Sequence, residues 1–419
     1  MDKLKVAELF AGVGGFRLGL ENTKEKIFDV TWANQWEPSK KIQHAFDCYN
    51  SRFITGEHVN KDIALISDEE IANTKADMVV GGFPCQDYSV ARSLSGELGI
   101  QGKKGVLFWQ IIRFIQNTYP KYLLLENVDR LLKSPSSQRG RDFGVMLSTL
   151  NELGYNVEWR VINAADYGNA QRRRRVFIFG YKQDLNYADL IDKYSLEDIV
   201  YNSGMFAKAF PIEKEPNKNR VNSSTITNDI VDISNNFSFQ FYNSGIMKNG
   251  EILTIDTIPI FEKPTPLKEI VLKEVDDKYS LADEKIEKFK YLRGPKKIKR
   301  TSKDGHEYYF SEGGMSEFDS LDLPARTMLT SEASVNRSSH FLSIGGKFRT
   351  LTPIEAERLN GFPDNWTDTM PDRMRYFCMG NALVVPLVTR IGNQIEKIEK
   401  ITALRQIGLM SPNIEIKQP

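Results

Sequence analysis

The chain has 419 residues, 41% of them hydrophobic and 26% charged, with a formal net charge of +1: a soluble globular composition, long enough for two domains. No apolar run is long enough to span a bilayer, and Met1-Asp2-Lys3-Leu4-Lys5 leads straight into a strand-like segment without signal-peptide architecture, so a cytoplasmic location is expected. Three scattered cysteines (48, 85, 378) and four histidines (44, 58, 306, 340) without ligand spacing argue against a disulfide framework, a metal site and His-based triads.

Residues 4–10 read as a strand ending in Ala11-Gly12-Val13-Gly14-Gly15-Phe16, after which Phe16, Leu18 and Leu20 open a helix. Strand, glycine turn, helix begins a nucleotide-type βα unit. Arg17 stands where GxGxxG needs its third glycine, which disfavours an NAD fingerprint but leaves room for an adenosine-bearing cofactor. A second strand, 28–33, ends at Asn34-Gln35-Trp36-Glu37, about twenty residues past the glycines, where dinucleotide folds place a ribose-binding side chain. Pro38 suits the first turn of a following helix. A third short strand is expected near 53–55, followed by Asp62.

The run Asp77-Met78-Val79-Val80 then feeds Gly81-Gly82 and presents Cys85 behind the rigid Pro84. Ligands bind beyond the carboxyl ends of parallel strands, so this thiol is placed to react; the plainer reading is a small buried hydrophobe. Residues 89–104 are a Ser-, Gly- and Lys-rich loop, and Gly102-Lys103 is no phosphate loop because Glu97 and Lys104 occupy its required Gly and Ser/Thr places. A helix carries Leu107, Ile111, Phe114 and Ile115, and a strand over 122–125 ends at Glu126-Asn127-Val128. At that edge Glu126 is either a carboxyl of raised pKa or a helix cap. After a helix containing Phe143, Met146, Leu147 and Leu150 come strands over 155–162 and 176–181, the second directly behind Gln171-Arg172-Arg173-Arg174-Arg175. Alternation along a strand puts Arg173 and Arg175 on one face and leaves Arg172 and Arg174 to solvent. The alternation of strands and helices specifies a doubly wound α/β domain.

From about residue 186 to 345 the chain turns Asn-, Ser- and Lys-rich, with short alternating runs such as 252–260 and a block, 288–303, holding eight basic residues and no acid. This predicts a smaller irregular domain, its basic block either a phosphate-facing surface or simply a solvated charged face. Val384, Val388, Ile391, Ile395 and Ile398 then mark an amphipathic helix over 383–404 that packs back on the first domain. The expected division is 1–185 completed by 372–419, 186–345, and a return segment 346–371.

In this order the motifs resemble the DNA (cytosine-5) methyltransferases of the bacterial restriction-modification type. The likeness rests on Glu8-Leu9-Phe10-Ala11-Gly12-Val13-Gly14-Gly15-Phe16, Gly82-Phe83-Pro84-Cys85-Gln86, Glu126-Asn127-Val128, Gln171 to Val176, Arg326-Thr327 and Gly380-Asn381, and leaves roughly 186–320 as the variable target-recognition region. It implies a Rossmann-like methyltransferase domain with a smaller target-recognition domain. It also implies methyl transfer from S-adenosyl-L-methionine to C5 of cytosine in a specific duplex DNA sequence, by base flipping and a Cys85 adduct at C6. Glu126 would engage the N3 side of the ring, and Arg175 with Arg173 would position the base. Phe10, Gly12, Gly14, Phe16, Trp36, Asp62, Pro84 and Asn381 match cofactor contacts. Gln35 stands where the family often has an acid on the ribose hydroxyls, and its carboxamide oxygen can still accept from them; Ala382 replaces a frequent Ser. Ser89 and Arg92 match a loop closing over DNA, and Lys296, Lys297, Arg300 and Arg326 are expected on DNA beside the polar run 330–338. The implied partners are double-stranded DNA and a separately acting restriction endonuclease, with the chain a monomer and no metal required. A tRNA cytosine-5 methyltransferase on the same scaffold and a catalytically silent DNA-binding module are the alternatives. A plain dehydrogenase leaves Pro84-Cys85-Gln86 and Glu126-Asn127-Val128 unexplained.

Overall fold

A computed structural model describes residues 3–38, 40–83, 106–214, 220–302 and 304–406, so the expected site residues Pro84, Cys85, Ser89 and Arg92 lie outside the described residues. Ten strands form one sheet. They are β1 (Leu4–Leu9), β2 (Phe28–Asn34), β3 (Glu57–Val59), β4 (Met78–Gly82), β5 (Tyr122–Asn127), β6 (Tyr155–Asn163), β7 (Arg174–Lys182), β8 (Val221–Thr225), β9 (Ser244–Lys248) and β10 (Glu251–Ile255), in the order β3-β2-β1-β4-β5-β7-β6-β9-β10-β8. The first five run parallel, and the pairs from β5–β7 outward are antiparallel. Strands buried on both faces need unbroken apolar runs, which is why β4 and β5 read so clearly in the sequence. Alternate residues of β1 feed two cores, Leu4 and Val6 one, Ala7 and Leu9 the other.

Chain order reverses at β1, whose neighbours are β2 and β4, and the carboxyl ends of β1, β2, β4 and β5 share one edge. That is the position at which doubly wound sheets bind ligands. The helix Gly15–Glu21 follows the glycine turn and is covered by the returning helix Val385–Gln406. A Cβ at Gly19 would lie 2.6 Å from that of Val388, so the absent side chain permits the contact, and the Thr389 hydroxyl donates to the Gly19 carbonyl at 2.9 Å. The expected return of the C-terminal helix onto the first domain is therefore what the fold contains.

Three local expectations differ. The third strand is Glu57–Val59 rather than 53–55, because the Phe53 ring is drawn under Gly14 and the Arg17 guanidinium. Pro38 opens no helix; the next one, His44–Arg52, starts six residues later. Most consequentially, residue 186 does not mark the end of the sheet. Segments before 210 pack beneath the main sheet, and β8, β9 and β10 extend it to ten strands. β9 and β10 are joined at Asn249-Gly250, both in the left-handed region (φ +50° and +81°), the conformation of a two-residue hairpin turn. Gly245 of β9 sits opposite Trp159 of β6, where a Cβ would be 2.1 Å from the indole ring. The irregular part is therefore confined to residues beyond about 256. It contains the helix Asp283–Arg293 and a two-stranded ribbon of β11 (Lys296–Thr301) and β12 (Glu307–Glu312). No helix among the described residues is long and apolar enough to cross a membrane.

Candidate active site

The turn after β1 is set by backbone conformation. Phe10, Gly12 and Gly14 all have positive φ, but the two glycines answer different needs. A Cβ on Gly14 would collide with the Phe53 ring at 2.3 Å, whereas one on Gly12 would meet nothing within 4 Å, because Gly12 faces a cavity. The Gly12 N–H donates to Gln35 Oε1 at 2.8 Å, joining the turn to the end of β2. The segment 34–37 is itself pinned: Asn34 Nδ2 donates to the carbonyls of Val59 and Lys61, and Asn60 Nδ2 to that of Gln35.

β4 ends at Gly81-Gly82. A Cβ on Gly81 would press within 2.8 Å of the Leu9 carbonyl, and Gly82 leaves space beside the Glu126 carboxylate. Asn127, buried at the end of β5, donates from Nδ2 to the Phe83 carbonyl at 2.9 Å and so fixes the backbone two residues before Cys85. Nothing local in the sequence assigns Asn127 this role, since the partner is 44 residues away.

Glu126 projects from β5 into the cavity and pairs with Arg175 of β7, Nε to Oε1 3.0 Å. Burial pushes its pKa above the ordinary carboxyl range, and the charges of Arg175 and then Arg173 pull the other way. Along 172–175 burial alternates as expected, with Arg172 and Arg174 exposed and Arg173 and Arg175 turned inward. Arg173 is nearly sealed; it donates to the carbonyls of Met328 (3.3 Å) and Gly380 (2.8 Å), so its hydrogen bonds hold backbone rather than reach across open space. Gln171 does the same work beside it, accepting from Met328 N at 2.7 Å and donating to Asn360 Oδ1 at 2.9 Å.

The resulting cavity, about 620 Å³, brings together Phe10, Gly12, Phe16, Gln35, Trp36, Glu126, Arg173, Arg175 and Asn381 from the sequence prediction. It adds Glu37, which motif matching passed over. Among the described residues Gly14 and Asp62 are not in its lining; the Asp62 carboxylate instead caps the turn Ile63–Leu65 through Ala64 N at 3.0 Å. A second cleft of about 410 Å³ shares Lys40 and Phe377 with the first and carries Thr330, Ser331, Ser334 and Arg373.

The expected DNA contacts separate into two groups. Lys297 and Arg300 lie on the exposed ribbon, over the rings of Tyr309 (5.0 Å) and Phe310 (4.0 Å). Lys296 and Arg326 do not present free cations. Lys296 Nζ donates to the Leu292 carbonyl at 2.9 Å and lies 3.6 Å from Glu312, while Arg326 is bound to both oxygens of Asp319 and to the Ser339 carbonyl. Arg293 shares that Asp319, whose pKa is held far below the ordinary range by Arg326, His340 and Arg293 against the opposing effect of burial.

The family model described as C-5 cytosine-specific DNA methylase matches residues 4–397. The chain is 80% identical over 402 residues to the type II methyltransferase M.Sau3AI of Staphylococcus aureus, across 96% of this chain and 98% of that protein. It is 28% identical over 408 residues to the type II methyltransferase M1.ScrFI of Lactococcus lactis subsp. cremoris, across 95% and 79%. Among solved structures, S. pombe Dnmt2 methyltransferase superposes with a TM-score of 0.61 at 14% identity, over 95% of this chain and 99% of that one, a likeness of fold.

Proposed function

Because the chain belongs to the C-5 cytosine-specific DNA methylase family, we propose that it methylates C5 of cytosine within a specific duplex DNA sequence, with Cys85 as nucleophile and S-adenosyl-L-methionine as donor. The supporting observation is that one cavity is lined both by Glu126 and Arg175, of the proposed catalytic set, and by the open Gly12 turn and Trp36, of the proposed cofactor set. These residues fit the cofactor. Gly12 leaves its Cβ position empty toward the cavity, and Trp36, 37% exposed at the rim, offers a ring face to a purine. Phe10, Phe16 and Asn381 complete the wall. When bound, S-adenosyl-L-methionine supplies an electrophilic methyl on a sulfonium.

Unaided cytosine C5 is too weak a nucleophile to take that methyl. The Cys85 thiolate adds to C6, forming an S–C6 bond, and the ring electron pair moves so that C5 becomes enamine-like while N3 gains negative character. Glu126, its carboxyl biased toward the protonated form by burial, donates a hydrogen bond to N3 and stabilises that charge. Arg175 orients Glu126 and offers its remaining N–H groups to the base. Once C5 is methylated, loss of the C5 proton to a base and return of the C6–S electron pair to sulfur release the product and the thiolate. The target carbons are inaccessible inside a duplex, so the base is flipped into the cavity. Lys297 and Arg300 on the ribbon supply phosphate contacts, and one copy of the chain suffices, with any restriction endonuclease acting separately.

Cytosine-conversion sequencing of plasmid DNA from cells expressing the chain tests this reading beside Cys85→Ala and Glu126→Gln. Protected cytosines in one sequence context are expected with the intact chain and none with Cys85→Ala, while purified Glu126→Gln turns over about 10²- to 10⁴-fold more slowly, the usual scale for a positioned acid. A folded chain that modifies tRNA and leaves DNA unprotected would overturn the proposal.

A further inference from the structure

Among the described residues two carboxylates line the cavity, Glu126 and Glu37. Glu126 is paired with Arg175. Glu37 forms no ion pair among the described residues, and its Oε2 is sealed from solvent without a hydrogen-bond partner. Unpaired buried acceptors are rare because each carries a desolvation cost, and one in a cavity wall points to a donor that arrives with a ligand. The placement is imposed by the fold: the Gln43 carboxamide brackets residue 37, accepting from its N–H at 2.8 Å and donating to its carbonyl at 2.9 Å. The Cys378 thiol in the same wall is pushed up chiefly by burial and further by the negative charge of Glu37.

Gln35 is the neighbouring candidate acceptor, but its Oε1 is already engaged by the Gly12 N–H. That bond also fixes the amide orientation, so position 35 has left to present the Nε2 donor and one lone pair of Oε1. An accepting group two residues on restores the balance. S-Adenosyl-L-methionine brings two ribose hydroxyls and an ammonium, all donors, and a carboxylate is the acceptor best matched to either.

We propose that Glu37 is the carboxylate acceptor of the cofactor site, receiving O–H or N–H donors from S-adenosyl-L-methionine in place of Gln35. The assignment rests on the reading that this cavity holds that cofactor.

Calorimetric titration of the full chain and of Glu37→Gln with S-adenosylhomocysteine and with 5′-methylthioadenosine, which keeps the ribose but lacks the ammonium, tests it. The intact chain binds S-adenosylhomocysteine, and Glu37→Gln binds it about 10- to 100-fold more weakly, the range for a hydrogen bond to a charged group. Equal weakening toward 5′-methylthioadenosine identifies the ribose as the donor; weakening confined to S-adenosylhomocysteine identifies the ammonium. Without ligand, Glu37→Gln should melt at the same temperature as the intact chain or higher, since Oε2 has no hydrogen bond to lose. A lower melting temperature would mark Glu37 as structural support, and unchanged affinities in a binding-competent chain would equally sink the assignment. An intact chain that binds neither compound fails the cofactor reading itself.

Discussion

Glu8 stands on β1 two residues before the cavity, wholly buried, with Tyr49 Oη donating to one oxygen at 3.0 Å and Arg17 N approaching the other at 3.4 Å. Burial lifts its pKa to about 7, the hydrogen bonds from Tyr49 and Arg17 opposing. A carboxyl whose folded pKa lies above its unfolded value stabilises the fold fully below the unfolded value and loses that contribution as pH rises through the folded one. The loss therefore falls between about pH 4.5 and 7, at roughly 1.4 kcal/mol for every pH unit crossed. Denaturant unfolding of the intact chain and Glu8→Gln should show the variant gaining relative stability across that window and no further above it; a constant difference would refute the assignment. Glu126 and Arg175 were legible as cavity residues because they sit in short motifs. Asn127, Gln171 and Glu37 were not, since what each does depends on partners or empty space brought from elsewhere in the chain.

At the scale of elements, the ribbon of β11 and β12 is the most exposed regular structure of the irregular region, with Lys297, Lys299 and Arg300 standing among Tyr308, Tyr309 and Phe310. A two-stranded ribbon is one of the shapes the major groove admits. Replacing Lys297 and Arg300 together by alanine should weaken DNA binding and lower the slope of log affinity against log salt by about 0.9 for every phosphate no longer neutralised. Fluorescence titration over a salt series reads this, and an unchanged slope would exclude both as phosphate contacts. Sequence located the basic block but not its form, nor that Lys296 is consumed by Glu312 and Leu292. The parallel strands were found because burial on two faces demands apolar runs. β8 was missed because an edge strand reading Val-Asn-Ser-Ser-Thr needs none, and the Asn249-Gly250 hairpin signal lay inside a stretch that looked irregular.

Across the whole molecule, the segment 325–330 is stitched to 171–173 by Gln171, Arg173 and the bond from Thr327 Oγ1 to the Arg172 carbonyl at 2.6 Å. Gly380 fits beneath Thr330 so closely that a Cβ would lie 2.2 Å from its nitrogen. Arg173 and Arg175, two residues apart, therefore have different tasks. Arg173→Ala should destabilise the chain by about 1.5–3 kcal/mol for each charged hydrogen bond removed. Arg175→Ala breaks no bond to the 325–330 segment, and it should remove the charge that lowers the Glu126 pKa and move that limb of the pH–rate profile upward. Calorimetry and rate profiles separate the two, and a reversed pattern would refute the division. The returning helix was foreseeable from its periodicity, but the stitching was not, because it joins residues some 155 positions apart.

The cavity wall is drawn from distant parts of the chain, with Gly12 and Asn381 both in its lining, and the helix Val385–Gln406 closes over Gly15–Glu21. During synthesis at about 5–20 residues per second, the first half of the cavity waits some tens of seconds for the second. A nascent chain thus holds a glycine turn, a thiol and a carboxyl well before it holds a closed pocket. A ribosome that stops short of residue 381 releases a chain without the wall that Asn381 provides, so synthesis through that residue sets when the cavity can close.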